Sequence, residues 1–312
     1  MIRAIGDEGK KALLLFFLGF ILSFFSLGEV LFIIPLLLIR KYIGRAYSAL
    51  SIAVVLLALC IRRFVGSADS SLSIALTIFN LYIPCTLSAS GIIWLYTEGW
   101  RGGRRLLLSV LPAAIFLTSF SLYMASDTAL LESFLGFYRI AFEGMLSLVL
   151  DTGALTEEFW TFFMEVLVLF VLGFFVPLIL FFVCVDVFLY EYISHSKEDG
   201  FEKRAASAEL DSAMIWVFII SLALLLLGRL ISMSWVMTIV LFNCTVILAI
   251  LYSVIGFSVL FYQIRKRSIR MRSISFFLLI ALLTIVVPGI NIIIISVLPI
   301  TGMIENFFEL RR

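Results

Sequence analysis

Apolar runs long enough to cross a hydrocarbon core of about 30 Å, roughly 20 residues each, recur along the whole chain and leave no segment over for a water-soluble domain. The composition agrees. Of 312 residues 63% are hydrophobic and 14% charged, against about half and a quarter in soluble domains. The expectation is an all-α, polytopic helical membrane protein, one integral membrane domain over 1–312, whose function resides inside the bilayer or in short loops.

The runs fall at 12–27, 30–39, 46–61, 72–96, 106–125, 161–190, 212–230, 236–264 and 273–298. The first two flank Gly28-Glu29, with Pro35 beyond, and fit either a hairpin of partial helices or one kinked span, so the total is eight or nine transmembrane segments. The opening MIRAIGDEGKK and the later Ser26-Leu27-Gly28 have the outline of a cleavable signal, but apolar sequence resumes at once, which reads as an uncleaved first span.

Basic residues near span ends face the cytoplasm. Arg40, Lys41 and Arg45, then Arg101, Arg104 and Arg105, and finally Arg265, Lys266, Arg267, Arg270 and Arg272 place three loops on that side of a cytoplasmic (inner) membrane. The outer loop 126–160 holds Asp127, Glu132, Glu143, Asp151, Glu157 and Glu158 against a single Arg139. Arg62 and Arg63 go against the pattern, because they fall outside. Within the outer loop Glu132, Gly136, Arg139, Glu143 and Ser147 share one helical stripe, with Leu131, Phe134, Leu135, Tyr138, Phe142 and Met145 around the rest. That pattern predicts one extracytoplasmic interfacial amphipathic helix. The polar stretch 191–211, which includes the sole histidine, His195, is expected to be a cytoplasmic loop.

A net charge of +2, with the basic residues in short clusters beside apolar runs, is too small to suggest a nucleic-acid partner, and none is expected. Cys60, Cys85, Cys184 and Cys244 each stand within an apolar segment with no CxxC, and read as small buried hydrophobes. GxxxxGK[ST], HExxH, GxSxG and carboxylate or histidine clusters at metal spacing are absent from the sequence. The reading is therefore no enzyme, no catalytic residues, no metal and no cofactor. Uphill transport by such a chain rests on an ion gradient or a partner ATPase.

Polar residues are few enough in the runs to be followed one by one. Ser73, Thr77, Asn80, Pro84, Ser88 and Gly91 give the run 72–96 a small, polar face, which suits either close helix packing or the wall of a cavity. Glu165 interrupts TFFMEVLVLFVLGFFVPL (161–178) one turn below the outer interface. By the helical rise, Glu29, Thr77, Asn80, Glu165, Arg229 and Asn243 all fall in the outer third of the membrane. Buried ionisable groups are costly there, so these six are the candidate ligand-binding residues, with Glu165 expected to meet Arg229. The competing reading lets Glu165 and Arg229 snorkel separately to the headgroups. Asp186 lies about 31 Å from Glu165 along the same helix and is expected at the inner rim.

LFIIPLLLIRKYIGR near the start, TEEFW leading into a long span with Pro177, VIGFSVLFYQIRKR, and the closing GMIENFFELRR resemble the YybS-like family of bacterial multi-pass membrane proteins. That family is distantly similar to the substrate-binding components of energy-coupling-factor transporters. The resemblance implies a helical protein that holds a small molecule near its outer face and is energised by a separate coupling subunit and ATPases. Residues and resemblance thus suggest a membrane protein binding a small molecule in an outward-facing polar pocket, as the specificity component of a transporter. The alternative is a non-transporting scaffold or assembly factor whose polar residues hold helices together.

Overall fold

The computed structural model describes residues 6–25, 28–65, 70–98, 100, 102–146, 157–195, 205–206, 209–228, 233, 235–267, 272–287, 289–308 and 310–311. Regular structure among the described residues is entirely helical. The helices are α1 (Asp7–Leu22), α2 (Gly28–Leu31), α3 (Ile33–Leu38), α4 (Arg40–Ile43), α5 (Arg45–Phe64), α6 (Ser71–Asn80) and α7 (Tyr82–Tyr96). They continue with α8 (Gly102–Ala125), α9 (Thr128–Leu146), α10 (Glu157–His195), α11 (Ala213–Gly228), α12 (Trp235–Lys266), α13 (Ser273–Val286) and α14 (Ile290–Phe308).

Among the described residues, five helical stretches are long and apolar enough to cross a membrane: Arg45–Phe64, Arg104–Met124, Phe174–His195, Met237–Lys266 and Ile290–Phe308. A sixth is the pair α6 and α7, which passes as one span but bends by 41°. The chain is a helical membrane protein. Two of the predicted runs are shorter than a span: α1 and α11 each have 16 residues, about 24 Å of helix. The amphipathic segment is helical as α9 and is not among the five.

The chain divides into two compact units, Met1–Ile92 with Val110–Ile179, and Ile93–Ser109 with Leu180–Arg312. In the first, α1 packs back against α3, where a Cβ on Gly19 would lie 2.7 Å from Leu36, so the first two runs form a hairpin of partial helices and not one kinked span. The run 30–39 is itself not a single helix. It breaks at Phe32 and again at Ile39 into α2, α3 and α4, and Phe32 through Ile39 are all buried. Pro35 removes an N–H from this stretch, and a helix apolar on every side must be surrounded by protein. Irregular backbone at membrane depth survives only when buried and satisfied. The Ser48 hydroxyl of α5 supplies the satisfaction, donating to the Leu36 carbonyl at 2.7 Å. Gly44, at φ 95°, then turns the chain between α4 and α5 in a conformation that favours glycine.

Only Ser126 and Asp127 join α8 to α9. The Asp127 carboxylate accepts the Leu130 N–H at 3.1 Å, an N-terminal cap that starts α9. Leu130 and Phe134 of α9 pack with Ala75 of α6 and Met124 of α8, so the apolar side of the amphipathic helix is partly covered by protein. Its Phe137, Ile140 and Met145 stay exposed.

In the second unit, the predicted last run 273–298 is not continuous. Val287, which precedes Pro288, is extended, and Gly289 has φ 87°. A residue before proline is pushed out of the helical region, which ends α13 and lets α14 begin anew at Ile290. The basic cluster at the start of α8 is drawn inward: the Arg105 guanidinium lies 3.5 Å above the Trp94 ring and donates to the Trp94 carbonyl at 2.7 Å. Beside it, Arg104 pairs with Asp211 at 3.5 Å.

Candidate functional site

Pro84 explains the bend between α6 and α7. Proline has no N–H and its ring clashes with the carbonyl four residues back, which here belongs to Asn80. α6 ends at Asn80, Leu81 turns, and α7 starts at Tyr82. The Asn80 carbonyl thus loses its proline-side donor, and the Asn80 side-chain amide is exposed at the same point. Two aromatic rings flank the break. Phe79 meets Phe120, Phe134 and Phe175 at 5.6, 5.6 and 5.3 Å, and Tyr82 meets Phe116 and Phe175 at 4.9 Å each. Tyr82 also donates its hydroxyl to the Ala113 carbonyl at 3.1 Å, tying the start of α7 to α8. Tyr138 of α9 completes this wall, 6.0 Å from Phe79, and burial pushes its phenol above the ordinary value, so it remains a neutral hydroxyl. The break therefore leaves an exposed amide and a released carbonyl next in sequence to a packed aromatic cluster.

The six candidate residues are placed differently from one another. Thr77 is buried one turn before the break, and its hydroxyl donates to the Ser73 carbonyl of its own helix at 2.8 Å. Asn80 is at the break itself. Glu29 accepts from Arg63 at 2.5 Å in the first unit. Asn243 belongs to α12 in the second unit, where its amide donates to the Ile239 carbonyl at 3.0 Å. The Glu165 side chain and Arg229 lie outside the described residues, and with them the expected pair. Of the polar face, Ser88 and Gly91 take part in close packing. A Cβ added at Gly91 would come within 2.5 Å of Ile33.

Sequence reasoning left Arg63 without a purpose, although its position against the charge pattern was a signal. Arg63 neutralises Glu29, while Arg62 lies 4.6 Å above the Phe24 ring. Asp186, expected at the inner rim, is 2% exposed, and its carboxylate oxygens have no hydrogen-bond partner among the described residues. His195, read as part of a loop, is the last residue of α10 and pairs with Glu191 one turn back. Among the described residues no three His, Cys, Asp or Glu side chains are grouped to hold a metal ion.

No family model, no curated protein and no solved structure matches the chain.

Proposed function

We propose that this protein binds a small molecule in an outward-facing polar pocket of the cytoplasmic membrane, as the specificity component of a transporter. The observation that carries the reading is the proline-induced break at Asn80. Membrane transporters build binding sites from discontinuous helices, because the ends of half-helices supply backbone groups that a continuous helix keeps to itself. An exposed amide at such a break is costly to leave facing lipid. A polar ligand bound at the break satisfies it.

In this reading eight or nine segments cross the bilayer, the 126–160 loop is outside, and α9 lies at the outer surface beside the break. The packing of Phe134 and Tyr138 against Phe79 supports a covering role for α9. The resemblance to the YybS-like family supports the same class of function and adds an expected coupling subunit and ATPase. The scaffold reading draws on a different observation. Thr77, Thr86 and Ser90 hydroxyls all donate to carbonyls within their own helix, as structural hydroxyls do.

Mass spectrometry of small molecules retained through gentle detergent purification separates the two. The expected result is a polar compound present in stoichiometric amount and lost from Asn80→Leu. An equal yield from Asn80→Leu, or no retained compound from either protein, favours the scaffold. The orientation has its own check. A cysteine introduced at Ser133 should react with an impermeant thiol reagent on intact cells and one at Ser268 should not. The reverse pattern inverts the topology and removes the outward pocket.

A further inference from the structure

The buried side of α10 is apolar until it reaches Asp186. Val176, Leu180 and Val183 lead to that residue, and Tyr190 and Ser194 follow it, all buried. Steps of four residues keep Asp186, Tyr190 and Ser194 on one face, each about 6 Å along the axis from the last. Their exposures are 2%, 4% and 9%. The stripe ends at the Glu191–His195 pair, 3.3 Å apart, with side chains 25% and 30% exposed. Carboxyl, phenol, hydroxyl and imidazole groups can each both take and give a proton. Ionisable residues buried in membrane helices are rare and mark ion pathways or proton relays.

We propose that Asp186 is a proton-binding site that exchanges with water along the face of α10 that carries Tyr190 and Ser194 and ends at the Glu191–His195 pair. The inference is independent of a pocket at Asn80. In the exchange, one O–H bond forms on the Asp186 carboxylate as one breaks on the donor, and His195 recovers its proton from water. A proton fits better than a metal cation. Hard cations require several oxygen ligands, whereas no donor group reaches either Asp186 oxygen and no metal-binding group of three exists among the described residues. Among the described residues, no charged group on the other helices of this unit is hydrogen-bonded to it. α11 and α13 have no charged residue; α8 brings Arg104 and Arg105, held by Asp211 and Trp94; α14 brings Glu305, held by Arg311. α12 carries Cys244, Tyr252 and Tyr262, and its Arg265 and Lys266 stand at its far end; none of them is hydrogen-bonded to Asp186.

Dicyclohexylcarbodiimide attaches only to protonated carboxyl groups in apolar surroundings, so the native protein in lipid vesicles can be tested directly. The expected result is an adduct mapped to Asp186 by mass spectrometry, falling at least about tenfold between acidic and alkaline pH as the proton leaves. Asp186→Asn should lose the adduct and Asp186→Glu should keep it. An absent adduct overturns the proposal. So does labelling equal at both pH values, which marks a permanently protonated structural acid, and so does protection by sodium at fixed pH, which assigns the site to a metal cation.

Discussion

Gly256→Ala should destabilise the protein by about 2–3 kcal/mol, a large effect for a single methyl group. α12 and α14 cross backbone to backbone at this point. A Cβ on Gly256 would lie 1.9 Å from the Leu298 carbonyl oxygen, and one on Gly302 would lie 2.0 Å from the Tyr252 carbonyl oxygen. Neither neighbour is a flexible side chain that can step aside, so the two helices must separate by roughly 1 Å, and close-packed interiors resist such shifts. Small residues serve this purpose in membranes, where helices gain their association energy from close contact and not from exclusion of water. Gly136→Ala is the control. Nothing lies within 4 Å of a Cβ there, so the better helix former should be neutral or stabilising by up to about 1 kcal/mol. Thermal unfolding in one detergent compares them, and equal melting temperatures for the two variants would show that α12 and α14 do not meet backbone to backbone at Gly256.

Arg311→Leu and Glu305→Leu should each cost about 3–5 kcal/mol, and the double substitution should recover much of the loss. The pair is made at 2.8 Å with side chains only 14% and 11% exposed, so removing either partner strands a charge with little water to solvate it. Arg311 also donates to the Ala206 carbonyl at 3.1 Å and to the Ser258 hydroxyl at 3.4 Å, while Gln263 donates to the Leu310 carbonyl. The closing residues are thereby clamped onto α12. A double-mutant cycle on melting temperature in detergent reads the coupling directly. Additive losses would mean that each group is solvated on its own, in which case the exposed-pair value of about 1 kcal/mol or less applies.

The closing sequence GMIENFFELRR shows why the clamp escaped sequence reading. Glu305 and Arg311 are six residues apart, which is not a helical spacing, and Phe308 ends α14 between them. Their pairing depends on the chain turning back onto Ser258. The breaks in the helices were nearer to hand. Pro84 and the Pro288-Gly289 pair are written in the sequence, yet hydropathy averaged over some twenty residues passes over a single residue that only removes a donor. The segment 128–146 was legible as a helix because its periodicity is local, but its contacts were not. Phe134 and Tyr138 face Phe79 and not lipid alone, and the same apolar stripe satisfies either environment.

The sequence by itself determined that the chain is helical and built for a membrane. Apolar length and backbone self-satisfaction are properties of each segment alone, and a bilayer admits few answers to them. Only the tertiary structure decided which polar group meets which. Glu29 found Arg63, Arg105 found Trp94, and Asp186 was left in a packed stripe with no hydrogen-bond partner among the described residues. These outcomes depend on crossing points such as Gly256 on Gly302, fixed by the fit of side chains and backbone between distant segments. A charge inside a membrane advertises the need for a partner through its cost, but the partner is chosen by geometry that no single segment contains.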